Sequence, residues 1–333
     1  MIAVLATPGL ATVQDSGRQG SLRYGVGTAG AMDGMALAAA NALLGNAPGD
    51  AAVEIPLFPF TARFDAPCAF ALTGADCDAR LAGRKLLPWS VHRAAAGEEL
   101  VLGPPQGAPG LRGARAYLAL PGGIDVPEVL GSRSTQLRGA FGGLEGRALQ
   151  AGDVLHPAGT DPGARPAGFG LVAPLLDLPL ERDGVGAVRV LPAAEYDRFT
   201  AASQGAFWDA AWKITAQSDR YGYRLAGEPL VFGAPVEMMS HGIVPGVIQV
   251  PPSGLPIIQM RDAQPSGGYP KFGTVIEADL WRLAQAAPGS RVRFVRAGWD
   301  EALAAMDEAE AWLTEARRLA GLARLLPGGG GGR

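Results

Sequence analysis

Short apolar runs, broken by glycine and proline, dominate the first third of the chain and predict β-strands. The run at residues 58–64 alternates apolar and polar side chains, as a half-buried strand does. A hairpin is predicted around Gly83, and further strands are predicted at residues 2–5, 53–55, 68–73, 98–102 and 114–120. Many short strands at this spacing are typical of a barrel or a sandwich.

Helical spacing appears in fewer places. Asp33 can cap a helix that ends near Leu44, where Gly45 follows. Asn41, in the middle of that helix, either faces solvent or binds a buried partner, and the second reading is favoured. Residues 277–286 are predicted to be helical. Residues 300–325 form the clearest helix, with apolar side chains at three- and four-residue steps at Trp299, Leu303, Met306, Ala309, Leu313, Ala316 and Leu319.

The second half of the chain returns to the strand pattern after a Pro-, Gly-, Ala- and Asp-rich stretch at residues 158–186. Strands are predicted at 188–191, 212–216, 221–225 and 291–296, with a short helix at 194–202. The stretch reads as a linker, which puts a boundary near residue 180. We predict an N-terminal β-rich subdomain (1–180), a β-barrel subdomain (181–298), an amphipathic C-terminal helix (299–326) and a flexible tail (327–333).

Composition narrows the class of protein. The chain has 333 residues, of which 48% are hydrophobic and 18% charged, so it is a folded protein with a large core. Its net charge of −3 argues against a nucleic-acid surface. No long apolar run and no basic leader are present, so a cytoplasmic protein without a membrane segment is expected. Cys68 and Cys77 are predicted to be reduced core thiols.

Common catalytic signatures are missing from the sequence. We find no Walker A motif, no dinucleotide fingerprint and no nucleophile elbow. The three histidines are scattered without metal-ligand spacing, so no metal site is predicted. No lysine lies between methionines, so the chain does not carry its own biotin. Any catalysis must rest on residues that are dispersed in the sequence.

The most informative segment carries Gln249 in an apolar run that ends in two prolines, followed by a glycine turn with Tyr269 and Lys271. Gly267 and Gly268 in that turn would let a ligand approach the backbone closely. Lys271 is one of three lysines in the chain, and it would supply a point charge. One reading is the rim of a ligand site; the other is a proline-terminated hairpin with a surface lysine.

Three clusters could bind an anion. The first is Asp15, Arg18 and Asp33, and the second is Arg133, Ser134 and Thr135, where an arginine stands beside two hydroxyls. The third joins Arg220 and Arg224, predicted to share one strand face, with Gln249, Tyr269 and Lys271. The alternative for each cluster is an ion pair that fastens a loop.

Several motifs carry a family resemblance. They are GLATVQDSGR (9–18), GAMD (30–33), AANALLGN (39–46), LTGAD (72–76), LGSRST (130–135), SDR (218–220), GYRL (222–225), IQVPP (248–252) and GGYPK (267–271). Together they resemble the biotin-dependent carboxyltransferase-like family, which includes the C subunit of 5-oxoprolinase, KipA and the carboxyltransferase region of urea carboxylase. The resemblance spans about residues 1–296.

The resemblance implies a mainly β protein with a few helices, two β-barrel-like subdomains with cyclophilin-like folding, and a C-terminal helix. It implies a subunit of an ATP-dependent 5-oxoprolinase, a hydrolase that opens 5-oxoproline to L-glutamate. The implied partners are a KipI-like protein, similar to the B subunit of that enzyme, and a LamB/YcsF-like protein, similar to its A subunit. ATP, with or without Mg²⁺, would be bound by this heteromeric complex, and the chain itself would carry no biotin.

Within that complex, Lys271, Tyr269 and Gln249 are the catalytic candidates. The candidates for binding substrate or phosphate are Arg220, Arg224, Arg133, Ser134, Thr135, Gly267, Gly268, Asp15 and Arg18. The chain departs from the family at Ala263 and Pro265, where relatives carry arginine and threonine, and at Tyr221, where they carry methionine. Two alternatives therefore stay open: a biotin-dependent carboxyltransferase subunit, and a non-catalytic KipA-like regulator that sequesters a KipI-like kinase inhibitor.

Overall fold

The computed structural model describes residues 1–107, 113–160, 168–234 and 238–325, and most of their regular structure is β-strand. Contacts divide the chain into two compact units. The first contains residues 1–17, 33–177 and those from 310 onward, and the second contains residues 18–32 and 178–309. The predicted flexible tail at 327–333 lies outside the described residues.

The first unit contains two antiparallel sheets. Their strands are β1 Ile2–Ala6, β2 Thr12–Gln14, β3 Ala52–Ile55, β4 Phe60–Phe64, β5 Cys68–Gly74, β6 Arg80–Leu81, β7 Arg84–Lys85, β8 Ser90–Ala94, β9 Glu99–Leu102, β10 Ala116–Ala119 and β11 Val154–Leu155. One sheet has the strand order β11-β1-β4-β9-β6-β7 and the other β2-β3-β10-β5-β8.

Both sheets contribute to one hydrophobic core. Phe60 and Phe64 come from the first sheet, and Phe70 and Leu118 from the second; all four are at most 1% exposed. The rings of Phe64 and Phe70 lie 4.9 Å apart, between centroids. The short alternating runs of the sequence therefore form strands whose apolar faces share one interior.

Helix α1 (Gly34–Leu44) packs against β5 and β10 of the second sheet. As predicted, the Asp33 carboxylate accepts a hydrogen bond from the N–H of Ala36 at 2.9 Å, and Gly45 ends the helix at a φ of 71°. Asn41 is fully buried, and its amide donates to the carbonyl of Asp50 at 2.8 Å. The reading of Asn41 as a residue held by a buried partner is confirmed.

The second unit is built on a closed barrel of seven strands. The strands of this unit are β12 Glu181–Arg182, β13 Val185–Pro192, β14 Trp212–Ile214, β15 Gly222–Ala226, β16 His241–Gly242, β17 Val247–Gln249, β18 Ile257–Gln259, β19 Ser266–Gly267, β20 Lys271–Val275 and β21 Arg291–Arg296. The barrel has the order β13-β20-β17-β18-β15-β14-β21, with β12 beside β13, and a parallel pairing of β21 with β13 closes it. Strands β16 and β19 pair as a separate ribbon.

Aromatic side chains fill the barrel. Phe207, Phe272 and Phe294 are fully buried, and the ring of Phe207 stacks on Phe294 with centroids 4.6 Å apart. Trp212 and Tyr223 belong to the same cluster. The predicted β-rich fold with a barrel is confirmed.

The remaining helices are α2 (Pro174–Asp177), α3 (Ala201–Asp209), α4 (Leu280–Gln285) and α5 (Trp299–Leu325), with 3-10 turns at Leu22–Tyr24, Tyr196–Arg198 and Glu277–Asp279. The prediction of a helix at 194–202 is wrong in its position along the chain. Helix α3 begins only at Ala201, because the hydroxyl of Thr200 caps it by accepting from the N–H of Ser203 at 3.2 Å. The predicted helix at 277–286 is confirmed as a 3-10 turn followed by α4.

The C-terminal helix is also confirmed, but its buried face differs from the pattern of large apolar residues. Ala302, Ala305, Ala316 and Ala320 are buried along α5, whereas Trp299 is 74% exposed. Leu303 and Met306 are exposed as well, and so are Leu319, Leu322 and Leu325. Small side chains allow close packing, so alanines form the buried positions of this helix, and the half-buried Trp312 adds an edge-on contact with Trp89, with ring centroids 6.0 Å apart.

Both cysteines are free and buried, as predicted. Burial, with a smaller contribution from the charge of Asp76, raises the pKa of the Cys77 thiol to about 12. A thiol with so high a pKa is not a nucleophile. Among the described residues, no helix combines the length and the apolar content that crossing a membrane requires.

Candidate functional site

The outer face of the barrel, around β17 and β18, carries two buried glutamines. Ile248 and Ile258 point into the barrel core, so their strand neighbours Gln249 and Gln259 point outward. Gln249 and Gln259 are nevertheless only 2% and 4% exposed. Contacts from the turn that follows β19 account for part of this burial, because the amide of Gln249 lies against Gly267 and donates to the carbonyl of Tyr269 at 3.4 Å.

Three of the predicted site residues lie in one row across this outer face. Arg224 on β15 pairs with Ile257 on β18, Ile257 pairs with Gln249 on β17, and Gln249 pairs with Lys271 on β20. Paired residues on neighbouring strands project to the same side of a sheet. Strands are spaced by about 4.8 Å, so Arg224 and Lys271 lie roughly 14 Å apart along the row.

Lys271 lies at the end of this row and is held by two side chains. Its ammonium group is 3.2 Å from a carboxylate oxygen of Glu195, and it also contacts the Nε2 atom of His241. The backbone N–H of Lys271 donates to the same oxygen of Glu195 at 3.1 Å. The side chains of Lys271 and Glu195 are 18% and 13% exposed, so the pair is sheltered but reachable from solvent.

The tautomer of His241 follows from its second contact. Its Nδ1 atom lies 3.1 Å from the carbonyl oxygen of Met239, which can only accept. Nδ1 therefore carries the proton, and in the neutral ring Nε2 has a lone pair that accepts from Lys271. Glu195 and His241 account for two of the three N–H bonds of the ammonium. In the described part of the chain, no acceptor is found for the third.

The glycines of the turn shape the space beside Gln249. A Cβ added to Gly267 would lie 2.5 Å from the Nε2 atom of Gln249, so no larger residue fits there without displacing that amide. A Cβ added to Gly268 would lie 3.4 Å from both the carbonyl oxygen of Met238 and the hydroxyl oxygen of Ser240, which is ordinary contact distance. Tyr269, next in the chain, is 47% exposed. The turn thus holds the exposed Tyr269 next to the row through the hydrogen bond from Gln249 to the Tyr269 carbonyl.

Arg220 is held apart from this row. It is 8% exposed, and its guanidinium forms two hydrogen bonds with the carboxylate of Asp262, at 2.9 and 3.0 Å. It also donates to the carbonyl of Gly30 at 2.7 Å. Strand β15 begins at Gly222, so the alternation does not extend to Arg220. The prediction that Arg220 and Arg224 share one strand face is wrong, because one is a buried ion pair and the other is exposed.

The second predicted cluster joins Asp15 in the first unit. The Asp15 carboxylate accepts from the hydroxyls of Ser132 and Ser134 at 2.7 and 2.5 Å, and from the backbone N–H groups of Gly17 and Arg133 at 2.8 and 2.6 Å. We call these five residues the Asp15 network. It is buried, apart from partly exposed Arg133, and it connects two loops that are more than a hundred residues apart in sequence.

The neighbours of the Asp15 network are bound internally as well. Thr135 donates its hydroxyl proton to the carbonyl of Val13 at 3.0 Å, and the side chain of Arg133 pairs with Glu128 at 2.8 Å. Of the first predicted cluster, Asp15 and Asp33 belong to the first unit and Arg18 to the second. Asp33 caps α1, and Arg18 is a fully buried residue of the second unit whose N–H donates to the carbonyl of Thr28 at 2.7 Å.

Sequence reasoning missed Glu195 and His241. Glu195 lies in the loop between β13 and α3, and His241 lies on the ribbon strand β16, far from Lys271 in sequence. The scarcity of histidine in the chain was the one available signal for His241. Within the described ranges, no group of three His, Cys, Asp or Glu residues could hold a metal ion.

Comparison with known proteins places this geometry in a family. A family model described as "Carboxyltransferase domain, subdomain A and B" matches residues 24–296. The chain is 41% identical to the C subunit of the 5-oxoprolinase of Escherichia coli K12, over 95% of this chain and 97% of that protein. It is 40% identical to the C subunit of the 5-oxoprolinase of Haemophilus influenzae, over 96% and 98% of the two chains.

Solved structures of larger proteins contain the same fold. The urea carboxylase of Kluyveromyces lactis superposes with a TM-score of 0.83 at 27% identity, covering 99% of this chain and 30% of that one. The urea amidolyase of K. lactis gives a TM-score of 0.82 at 28% identity, covering 95% of this chain and 20% of that one. The predicted resemblance is confirmed: the chain belongs to the carboxyltransferase domain family with subdomains A and B.

Proposed function

We propose that the chain is a subunit of an ATP-dependent 5-oxoprolinase, which opens 5-oxoproline to L-glutamate and is active only with its partner subunits. The observation that carries the proposal is the identity of 40–41% to two bacterial 5-oxoprolinase C subunits over at least 95% of each chain. The urea-related proteins, in contrast, match over at most 30% of their own length.

The chemistry of a lactam suits the charges on the barrel's outer face. A lactam carbonyl is a poor electrophile, and phosphorylation of its oxygen by ATP would create a leaving group. A phosphoryl group in transfer needs cations around it rather than a protein nucleophile. Lys271 and the exposed Arg224 are the cations of the row, and Tyr269, which is 47% exposed, could orient a ligand. The buried amide of Gln249 donates to the carbonyl of Tyr269 and accepts from Gln259, so it supports the turn that carries the tyrosine.

The other predicted binding residues fit a supporting role better. Arg220 is paired with Asp262, and Asp15, Ser134 and Thr135 use their polar groups within the protein. A carboxylate that already accepts four hydrogen bonds has little to offer a ligand. We assign these residues to the stability of the fold and keep Lys271 as the centre of the candidate site.

Partner subunits are part of the proposal. The two bacterial relatives are each named as one subunit of an enzyme, which supports a heteromeric assembly. We propose a KipI-like protein and a LamB/YcsF-like protein as the partners, with ATP bound by the assembled complex, with or without Mg²⁺, in the cytoplasm.

The test is an assay of the assembled complex. The tagged chain is purified from its native host with its partners, and ATP hydrolysis is measured with and without 5-oxoproline. Lys271→Met should lower the stimulated rate by at least about 100-fold, as expected for loss of a group that stabilises charge in the transition state. Lys213→Met, an exposed lysine on β14 of the same barrel, is the matched control and should leave the rate unchanged.

Two outcomes would count against this reading. A complex that shows no 5-oxoproline-dependent hydrolysis would overturn the function. If the complex is active and Lys271→Met and Lys213→Met have the same rate of 5-oxoproline-dependent ATP hydrolysis, the assignment of the site to Lys271 is wrong and the proposed function stands.

A second candidate is carboxyl transfer from biotin carried on another protein. It is favoured by the description of the matching family and by the 32% identity to the urea amidolyase of Lachancea kluyveri, of which the chain covers 16%. Copurification of a biotin carrier and inhibition by avidin would support it. Activity that is insensitive to avidin would exclude it.

The departures from the family keep a KipA-like regulator as the third candidate. Ala263 is buried in the turn after β18, and the carbonyl of Pro265 accepts from the N–H of Ile243 at 3.0 Å. A proline keeps that acceptor, so the ribbon forms without the family's arginine and threonine. A regulator of this kind should bind a KipI-like protein tightly, and the resulting complex should turn over no substrate.

A further inference from the structure

We propose that Glu195 and His241 are positioning residues that hold Lys271 as a protonated donor, with its third N–H directed at the substrate. This inference deepens the proposed function and rests on it for the identity of the acceptor, which is the lactam nitrogen. The geometry of the three side chains carries it.

The ammonium group of Lys271 is paired with the carboxylate of Glu195. Glu195 is the acid within reach of the Lys271 ammonium among the described residues, at 3.2 Å, and the same carboxylate oxygen also accepts the backbone N–H of Lys271. The same oxygen therefore ties the ammonium group to the backbone of its own residue and fixes its position.

The hydrogen bond between Lys271 and His241 has Lys271 as its donor. The carbonyl of Met239 fixes the proton on Nδ1, so Nε2 can only accept from Lys271 while the ring is neutral. Two fixed acceptors leave an ammonium with one rotational position. Its third N–H then points in one direction, which we assign to the substrate, on the side of the sheet where Gln249 pairs with Lys271.

Lys271, held in this way, would donate a proton to the lactam nitrogen when the ring opens. Water adds to the carbonyl carbon of the O-phosphorylated lactam and gives up a proton to solvent, so a carbon–oxygen bond forms. The carbon–nitrogen bond then breaks, its electron pair goes to nitrogen, and Lys271 Nζ would supply the proton that nitrogen takes up and become a neutral amine. A second water would release phosphate from the acyl phosphate that remains. A proton that His241 takes up from solvent at Nε2 would pass along the same hydrogen bond to the neutral amine of Lys271.

The experiment uses the three lysines of the chain as internal references for one another. The purified full-length protein is treated with limiting acetic anhydride at pH 8, and the acetylation rates of Lys85, Lys213 and Lys271 are measured by mass spectrometry. The reagent attacks only the neutral amine, so a lysine held as ammonium reacts slowly. Lys213 is exposed and reports the ordinary rate, and Lys85, whose side chain is 61% exposed and lies 3.7 Å from a carboxylate oxygen of Asp78, reports the rate of an exposed lysine with an acidic neighbour.

Four variants separate the roles. Glu195→Gln keeps the shape and removes the charge, and it should raise the Lys271 rate about tenfold relative to Lys213, as expected for loss of a charge-assisted hydrogen bond. His241→Leu should raise it several-fold, whereas His241→Gln, which keeps an acceptor, should restore the slow rate. Asp197→Asn removes a nearby exposed charge and should change nothing.

The rates of Lys85 and Lys213 show whether each variant is folded. Unchanged Lys271 acetylation in both Glu195→Gln and His241→Leu, with the two reference rates preserved, would overturn the proposal. If one variant fails to fold, the other decides. Because acetylation needs no turnover, an assembled complex that ignores 5-oxoproline would refute the proposed function without touching this result.

An activity measurement on the assembled complex then distinguishes donation from simple packing. His241→Gln should lower kcat while leaving KM unchanged, because it keeps the acceptor and loses the ability to return a proton. Added imidazole should restore part of the rate. An equal change in kcat and KM with no response to imidazole would show that His241 only packs against Lys271.

Discussion

The Asp15 network of the first unit and the Lys271 cluster of the second are both built from charged side chains beside glycine turns. In the network, the carboxylate of Asp15 accepts four hydrogen bonds and is 8% exposed. In the cluster, the ammonium of Lys271 has two partners, Glu195 and His241, and its side chain is 18% exposed. The two clusters differ in how completely their polar groups are used.

That difference separates a structural role from a chemical one. A buried group whose hydrogen bonds are all made within the protein stabilises the loops that supply its partners, and its removal leaves those partners unsatisfied. A sheltered group with an unused donor can form a further bond with a ligand at little structural cost. Charged residues beside glycines look alike in sequence, and the count of internal partners distinguishes them.

The largest effect on stability should come from Asp15→Ala. The change leaves two hydroxyls and two backbone N–H groups without their acceptor in a buried site, so we expect a loss of about 3–5 kcal/mol in the free energy of unfolding. Urea denaturation measures it. The matched control is Asp125→Ala, an exposed acid of the same unit, which should change stability by less than about 0.5 kcal/mol.

Equal stability of these two variants would remove the contrast between the clusters. It would mean that the Asp15 network contributes little to folding, and the phosphate-binding role predicted for Arg133 and Ser134 would again be open. Lys271→Met, in turn, should cost less stability than Asp15→Ala, since it breaks one partly exposed pair.

A smaller loss, about 3 kcal/mol, is expected for Asp262→Ala. This change removes the carboxylate that accepts two hydrogen bonds from the buried guanidinium of Arg220. The double variant Arg220→Met with Asp262→Leu removes both charges and should be more stable than the single one. Thermal denaturation of both variants provides the comparison. A stable Asp262→Ala protein whose complex is inactive would instead place Arg220 at the ligand.

Much of the fold could be predicted because local patterns determine it. Strands such as β21 match the predicted bounds, and the cap at Asp33 and the turn at Gly45 follow from backbone chemistry that a few residues specify. The face of α5 could not be predicted in this way. Alanine and leucine are both apolar, so spacing alone does not reveal that the alanines make the close contacts.

The candidate site was harder to predict because its residues come from distant segments. The pairing of Arg224, Ile257, Gln249 and Lys271 depends on the register of four strands, which no single stretch of sequence specifies. Glu195 and His241 reach Lys271 from a loop and from a two-residue ribbon strand. Such short elements carry almost no periodic signal, so the lysine could be predicted as important while its two partners could not.

The smallest expected effect concerns the glycine turn beside Gln249. Gly267→Ala would bring a methyl group to 2.5 Å from the amide nitrogen of Gln249 and force that buried side chain to move. We expect a loss of about 1 kcal/mol, typical of mild overpacking. Gly242→Ala, on the partner strand of the same ribbon, meets no atom within 4 Å and should be neutral. Urea denaturation and the acetylation rate of Lys271 measure both variants. If both alanine variants have the same free energy of unfolding and the same Lys271 acetylation rate, the turn does not restrain the position of Gln249 beside Lys271.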